Sequence, residues 1–442
     1  MILCGFYETV ITPALGSPMP GAGHERISTG IKDDLYAKAF VLECRDEGSS
    51  GAVFAAVVAL DAIDLARKEV ERIRERIAAL TPIPADNITV CSTHSHTSGP
   101  TIRTSYVKAV DPEYLDWLVL KAADAAVLAC EQRAEAQIGF GLGKEEGISF
   151  QRRFWMKDGS VATNPGIGNP EIAKPAGPID PDVAVMRIDD LSGRPLGIVV
   201  NFACHPDVVG GLEYSGDYPG ELSRTLKRVY GEHVVVLFLQ GASGNINHID
   251  VSGNWLLDRK AHYLKMGRIL AGEVMKVREK ICCTPQPSIR MKRAFVPIRY
   301  RRPSAEELAE AKRTVQSAAS ANPLALNLAR QVIQLAEREE EQTEAEIQAW
   351  AFGETAFVFM PAEIFAEFGL EIKRRSPFAL TIVTELSNGS VSGYVCTQEA
   401  YKQGGYENKL REYSRLQAEA GDLFAEQALQ LLQALKTEPQ MS

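Results

Sequence analysis

The run Val234-Val-Val-Leu-Phe-Leu-Gln240 constrains the fold more than any other stretch of the chain. An apolar run of this length, with no polar alternation, reads as a strand covered on both faces. It breaks into Gly241-Ala-Ser243-Gly-Asn245-Ile-Asn247, which is turn chemistry. Strand-type and helical patterns alternate around it for most of the length. Further strands are expected in two runs at 34–60, at Ile88–Cys91, 195–203, 356–360 and 380–386. Helices are expected at 62–80, 112–134, 219–230, from Pro361, and at 408–436. Between 302 and 350 the composition shifts to Ala, Glu, Gln, Leu and Arg. That stretch reads as a helical insertion around 303–350, with the acidic run EREEEQTEAE as a solvated helix face. There is no internal repeat, low-complexity linker or Pro-rich hinge. The expected fold class is α/β: a mixed sheet core flanked by helices, with residues 1–442 forming one catalytic domain.

Charge and composition exclude several partners. The formal net charge of −9 argues against nucleic acid, because phosphate neutralisation needs clustered Lys and Arg. No apolar run approaches the roughly eighteen residues of a transmembrane helix. The start, MILCGFYETVITPALGSPMPGAG, lacks a basic n-region followed by an apolar h-region, which reads against a secretory signal. Eight cysteines are scattered without a C-x-x-C pair, as expected of small buried side chains in a reducing compartment. The expectation is a soluble cytoplasmic protein acting on a small-molecule or lipid-like substrate, with oligomerisation left open.

Four places share one design, an apolar strand that stops at a polar, potentially metal-binding residue. They are His94 and His96 in CSTHSHTSGP (91–100), His205 in NFACHP, the loop after Gln240, and Glu363 in MPAE. Strand ends in α/β folds hold catalytic groups rigidly. Side chains at i and i+2 leave a strand on one face, so His94 and His96 would aim two imidazoles the same way. A pair of loop histidines can also merely bond its neighbours, and a Glu after Pro can simply favour a helix N-terminus. Two histidines and a carboxylate would make a zinc site with one position open for water.

In order along the chain, these segments resemble the neutral (non-lysosomal) ceramidase family, specifically its N-terminal catalytic domain. Thr93-His94-Ser-His96-Thr-Ser-Gly-Pro100 is similar to that family's first histidine signature. Asn201-Phe-Ala-Cys-His205-Pro206 and Ser215-Gly216-Asp217 look like its second zinc-histidine segment and the SGD after it. Gln240-Gly-Ala-Ser-Gly-Asn245 resembles its glycine-asparagine loop, Met360-Pro-Ala-Glu363 the segment of its zinc glutamate, and the stretch from Asn388 through Tyr394 to Tyr401 that of its zinc tyrosine. The resemblance implies one Zn2+ per chain held by His94, His205, Glu363 and Tyr394, with His96 as proton shuttle or substrate contact. It further implies that Arg152 or Arg153 faces the active site, Arg152 being the candidate carried forward. Asp217 would orient His96, Gly241, Ser243 and Asn245 would shape the carbonyl pocket, and Asn247 would donate to an oxyanion. The activity implied is amide (N-acyl) hydrolysis by a metal-activated water, with an ester as the variant.

The departures concern the substrate. Asn247 stands where the family has a polar serine. Its members are secreted or membrane-facing and carry a C-terminal β-sandwich domain, whereas this chain ends in a helix and is expected to lack that domain. No exposed amphipathic segment suits extraction of a lipid, so ceramide itself is a doubtful substrate. Two rival readings are a serine hydrolase using Ser243, whose surroundings lack the second glycine of G-x-S-x-G, and a metal-binding protein without catalysis.

Overall fold

The computed structural model describes residues 1–45, 51–104, 106–107, 110–253, 261–285, 289–317, 322–391 and 393–438. Positions 318–321 of the expected helical insertion and Ser392, just before Tyr394, lie outside them. Eight strands form the larger sheet: β1 (Ile2–Val10), β2 (Tyr36–Arg45), β3 (Ala52–Leu60), β4 (Ile88–Ser92), β5 (Ala134–Lys144), β6 (Asp182–Asp190), β7 (Pro195–Phe202) and β8 (Val235–Gln240). Their order is β8-β7-β6-β5-β1-β2-β3-β4. The inner pairs are antiparallel, while the outermost pairs, β3–β4 and β7–β8, are parallel. A second sheet contains β9 (Ile289–Arg299), β10 (Gln342–Phe352), β11 (Thr355–Phe359) and β12 (Leu380–Thr384) in that order, and its last pair is also parallel.

Parallel neighbours require a crossover, and helices supply it each time. In chain order the helices are α1 (Arg67–Leu80), α2 (Pro112–Glu131), α3 (Asp217–Tyr230), α4 (His262–Arg278), α5 (Ala305–Gln316), α6 (Pro323–Glu337), α7 (Ala366–Arg375), α8 (Gln398–Gln403) and α9 (Ala420–Thr437). α1 joins β3 to β4, α3 joins β7 to β8, and α7 joins β11 to β12. The two sheets face each other across a core in which Phe40, Val57 and Leu237 meet Trp350, Phe357 and Ile382. Helices α1 and α2 cover one half of the large sheet's outer face, α3 and α4 the other half, and α7 and α9 the outer face of the small sheet. The result is four layers, helix–sheet–sheet–helix.

That layering explains the unbroken apolar run. Val235, Leu237 and Leu239 of β8 point into the core between the sheets, and Val236 and Phe238 point into the core under α3 and α4. Both faces are dry, so alternation is lost. Each such side chain contributes roughly 1.5–3 kcal/mol on burial.

The segment after β12 clasps both edge strands of the large sheet. Glu385 N donates to Gln240 O at the end of β8 (2.9 Å), and Ser92 N at the end of β4 donates to Leu386 O (3.0 Å). Asn388 N donates to Val90 O (2.7 Å), and the Asn388 side chain accepts from Val90 N (3.1 Å). Three strand ends from two sheets are thereby tied together at one place.

The mixed sheet and flanking helices are as expected, but three boundaries differ. The insertion is helical only through Glu337, and the stretch read as its continuation is strand β10. There Glu346 is buried in a two-pronged pair with Arg74 (both N–O distances 2.8 Å), and Gln348 donates to Asp86 O and accepts from Asn388. Long-range partners satisfy these polar groups. The acidic run EREEEQTEAE is solvent-facing over most of its length, as expected, with only Ala345 and Glu346 at its end buried, but it is not helical beyond Glu337. Glu363 opens a two-residue strand parallel to Tyr394–Val395, not a helix, which starts only at Ala366. The terminal helix starts at Ala420, leaving 404–419 as an irregular segment against the site.

Candidate metal centre

The four strand-end groups converge. β4 ends at Ser92, after which Thr93 N and His94 N donate to Leu60 O and Ala62 O, both at 2.9 Å. His94 has φ of 70°, a left-handed conformation that costs a non-glycine residue about 1–3 kcal/mol and is tolerated where surrounding contacts dictate it. His205 follows three residues after β7. Glu363 N donates to Gly393 O at 2.8 Å, and its strand register sets it opposite Tyr394.

Each imidazole is fixed by its Nδ1. His94 Nδ1 meets Ile63 O at 2.6 Å, His96 Nδ1 meets Gly21 O at 2.8 Å, and His205 Nδ1 meets Ser243 O at 3.0 Å. A carbonyl oxygen can only accept, so Nδ1 carries the proton in all three rings and Nε2 presents a lone pair. Those three Nε2 atoms, and Glu363 Oε2, are buried without a hydrogen-bond partner. The three histidines' ligand atoms lie within 4.8 Å of one another. Glu363 Oε2 stands 3.3 Å from His94 Nε2 and 3.2 Å from His205 Nε2. Acceptor faces acceptor, an arrangement that becomes attractive only with a cation or proton between them. Metal-bound histidines show this same pattern, one ring nitrogen anchored on a carbonyl and the other turned inward.

The electrostatics agree. Burial lowers the His94 pKa, but Glu363 overrides it and raises it to about 9. His96 is pushed down to about 3 by burial and by His94. Burial and Arg152 also hold His205 below its ordinary value. Burial works against ionisation of Glu363, yet the neighbouring imidazoles keep it well below the usual carboxylate range. His96 and His205 are thus held neutral, while the proton that Glu363 retains on His94 is one a bound cation would displace; the resulting carboxylate–imidazole set is a nitrogen–oxygen donor set that suits zinc. His94 and His205 belong both to the three-histidine cluster and to the group around Glu363.

Tyr394 stacks on His205, with ring centroids 6.4 Å apart, and lies beneath the Arg152 guanidinium at 5.2 Å. Arg152 donates to Glu407 at 2.9 Å and to Gly244 O at 2.6 Å, while Arg153 reaches the other Glu407 oxygen at 3.0 Å. The two arginines thus share one buried acid, and Arg152 is the one beside Tyr394. The loop after β8 stands behind the histidines. Gly241 packs so closely on Ala203 that a Cβ would sit 2.9 Å from its nitrogen. Ser243 Oγ accepts from Gln240 and donates to Glu385, both at 2.7 Å. Asn245 accepts from Ala366 N and donates to Glu367, and Asn247 donates to Asn164. Asp217 does not bond His96: its carboxylate accepts from Val209 N (2.8 Å) and Tyr218 N (2.6 Å).

A cavity of about 290 Å³ opens in front of the cluster, lined by His94, His96, Glu363 and Tyr394 among others. Sequence reasoning missed Gly21, Glu385, Glu407 and Arg411, all of which touch or support this site. Gly21 carried a signal, since its φ of 87° suits glycine and a Cβ there would lie 2.8 Å from His96 Cβ. The others act through partners remote in sequence.

No family model matches the chain, and no curated protein does. Among solved structures, neutral ceramidase from Pseudomonas aeruginosa superposes with a TM-score of 0.76 at 18% identity, covering 98% of this chain and 74% of that one. A structure described as ceramidase complexed with C2 gives 0.77 at 17%, covering 98% and 75%. The class defined by fold and site is thus a four-layer α/β protein with a buried histidine–carboxylate centre. More particularly, the fold is neutral-ceramidase-like, as the motifs implied.

Proposed function

We propose that this chain is a zinc-dependent hydrolase of amide (N-acyl) bonds, with esters as the alternative on the same centre. The observation that carries the reading is the set of buried, unbonded Nε2 atoms of His94, His96 and His205 facing Glu363 Oε2. His94, His205 and Glu363 would hold one ion per chain, with Tyr394 alongside as the fourth contact. A zinc ion bound there would lower the pKa of a water ligand towards about 7 and polarise a carbonyl. His96, anchored on Gly21 O, offers Nε2 to take the proton released as water attacks and to return it to the leaving nitrogen. Arg152 holds the Gly244 carbonyl and lies over Tyr394, so its part is to position that phenol. The loop from Gly241 to Asn247 supports the centre from behind: Ser243 O orients His205, and Asn245 fixes the start of α7. Ser243 is a poor candidate for a nucleophile, because its hydroxyl is fully buried and committed to Glu385.

The ceramidases of similar fold are named for ceramide. For this chain the reading is restricted to the amide bond and tested on it. Zinc-loaded protein is expected to release amine from a panel of N-acyl compounds, to lose that activity on chelation, and to regain it with Zn2+. Turnover that survives chelation would overturn the metal mechanism. Metal uptake without turnover of any amide or ester would favour a binding protein.

A further inference from the structure

The cavity in front of the metal centre carries positive charge that the centre does not use. Arg411, 3% exposed, sits among three tyrosines, its guanidinium carbon 3.7 Å from the Tyr406 ring centre, 4.7 Å from Tyr413 and 5.7 Å from Tyr394. Nη2 donates to Tyr406 O at 3.0 Å, and Nε is buried with no partner. A guanidinium has five N–H donors, so most of these are unused. Among the described residues no carboxylate pairs with Arg411, whereas Arg152 and Arg153 are both paired with Glu407. Arg103, exposed on the same cavity wall, likewise has no acidic partner among the described residues. In a chain of net charge −9, two arginines without acids in one cavity are not a sample of a basic surface. The acids on that wall are Glu363, which belongs to the metal centre, and Asp64, whose carboxylate accepts from Leu65 N.

A buried donor left without an acceptor costs about 1–3 kcal/mol, and more when charged. Tyrosine rings around Arg411 leave the acceptor position to something that enters the cavity. A planar guanidinium fork matches a carboxylate. We propose that Arg411 binds a carboxylate on the substrate, so that the amide cleaved at the metal centre belongs to a small N-acyl compound with a free carboxylate, such as an N-acyl amino acid. This rests on the hydrolase reading above. At about 290 Å³ the cavity is at the small end of ligand pockets. Its wall offers Ile63, Ile102 and Leu328 to an acyl chain, and Asn327, Gln331 and Tyr406 elsewhere, which suits one short chain better than two long ones.

The test compares N-hexanoylglycine, its uncharged carboxamide and the corresponding phosphonate as substrates of zinc-loaded wild type, R411Q and R411K, each checked for folding by circular dichroism. In parallel, calorimetry measures binding of the non-cleavable ketone in which methylene replaces the amide nitrogen, as acid and as carboxamide. Wild type is expected to prefer the carboxylate over the carboxamide by about tenfold to a hundredfold in kcat/KM. R411Q should lose more on the carboxylate than on the carboxamide, shrinking the preference to about twofold or less, and R411K should restore part of it. The ketone acid should bind wild type more tightly than R411Q by a similar factor. Equal use of the carboxamide, or R411Q lowering both substrates alike, would overturn the inference, and a preference for the phosphonate would overturn the choice of carboxylate. Failure of the hydrolase reading looks different: no amide is turned over, yet the ketone acid still distinguishes wild type from R411Q.

Discussion

Replacing Glu385 with glutamine should stabilise the metal-free protein at neutral pH. Glu385 is fully buried behind the histidines, where Oε1 accepts from the Ser243 hydroxyl (2.7 Å) and Oε2 from Ile364 N (2.6 Å). Burial outweighs those bonds and pushes its carboxyl from 4.5 up to about 8. At pH 7 the group is therefore neutral in the folded protein and ionised in the unfolded chain. A raised folded pKa on an acid makes its contribution most favourable below the unfolded value and drains it as pH climbs to the folded one. At about 1.4 kcal/mol per pH unit, the interval from 4.5 to 7 corresponds to roughly 3 kcal/mol, growing to about 5 kcal/mol above pH 8. Glutamine keeps the shape, accepts from Ile364 N, donates to Ser243 Oγ and does not titrate. Urea unfolding of chelator-treated wild type and E385Q should give nearly equal stabilities near pH 4.5, with the variant ahead by roughly 3 kcal/mol at pH 7. A difference that stays flat across this range would refute a neutral buried carboxyl. A variant less stable at every pH would show that the native group is ionised and paired.

Three further outcomes are expected. His96→Ala should keep about one zinc per chain while turnover falls at least about a hundredfold, measured by elemental analysis beside steady-state hydrolysis; loss of the metal would instead make His96 a ligand. Gly21→Ala forces a Cβ to 2.8 Å from His96 Cβ at a φ of 87°, so it should cost about 1–2 kcal/mol in urea unfolding and lower turnover with zinc retained. Arg74→Ala leaves the buried Glu346 carboxylate that links α1 to β10 with only the longer contact to Arg293 (3.8 Å), and should lower the urea unfolding free energy by about 3 kcal/mol, whereas a change below about 1 kcal/mol would mean the pair contributes little.

The strand ends of the site were legible because they depend on local chemistry. An apolar run that breaks into turn chemistry reads the same way wherever it occurs, and the ends of β4 and β7 before their histidines, and of β8 before its glycine-asparagine loop, bear this out. What failed was anything decided by a distant partner. EREEEQTEAE is mostly solvent-facing, as its composition suggests, but nothing nearby in sequence announces that its last residue, Glu346, will meet Arg74 inside a strand, or that Gln348 just after it will donate to Asp86 O and accept from Asn388. Glu363 reads as a helix opener until Tyr394 arrives to pair with it. Asp217 suggested an orienting carboxylate, but its own backbone surroundings take up both oxygens and the Gly21 carbonyl holds His96 instead. Arg411 had no sequence signal at all, since its three tyrosines define it only after the irregular segment 404–419 folds against the centre.

Metal content tests the central claim most directly. Wild type purified without chelator and offered Zn2+ is expected to hold about one zinc per chain by elemental analysis. H205A and E363Q, folded by circular dichroism, are expected to hold almost none. A wild-type protein that takes up no divalent metal, or variants that retain it at the wild-type level, would contradict the account.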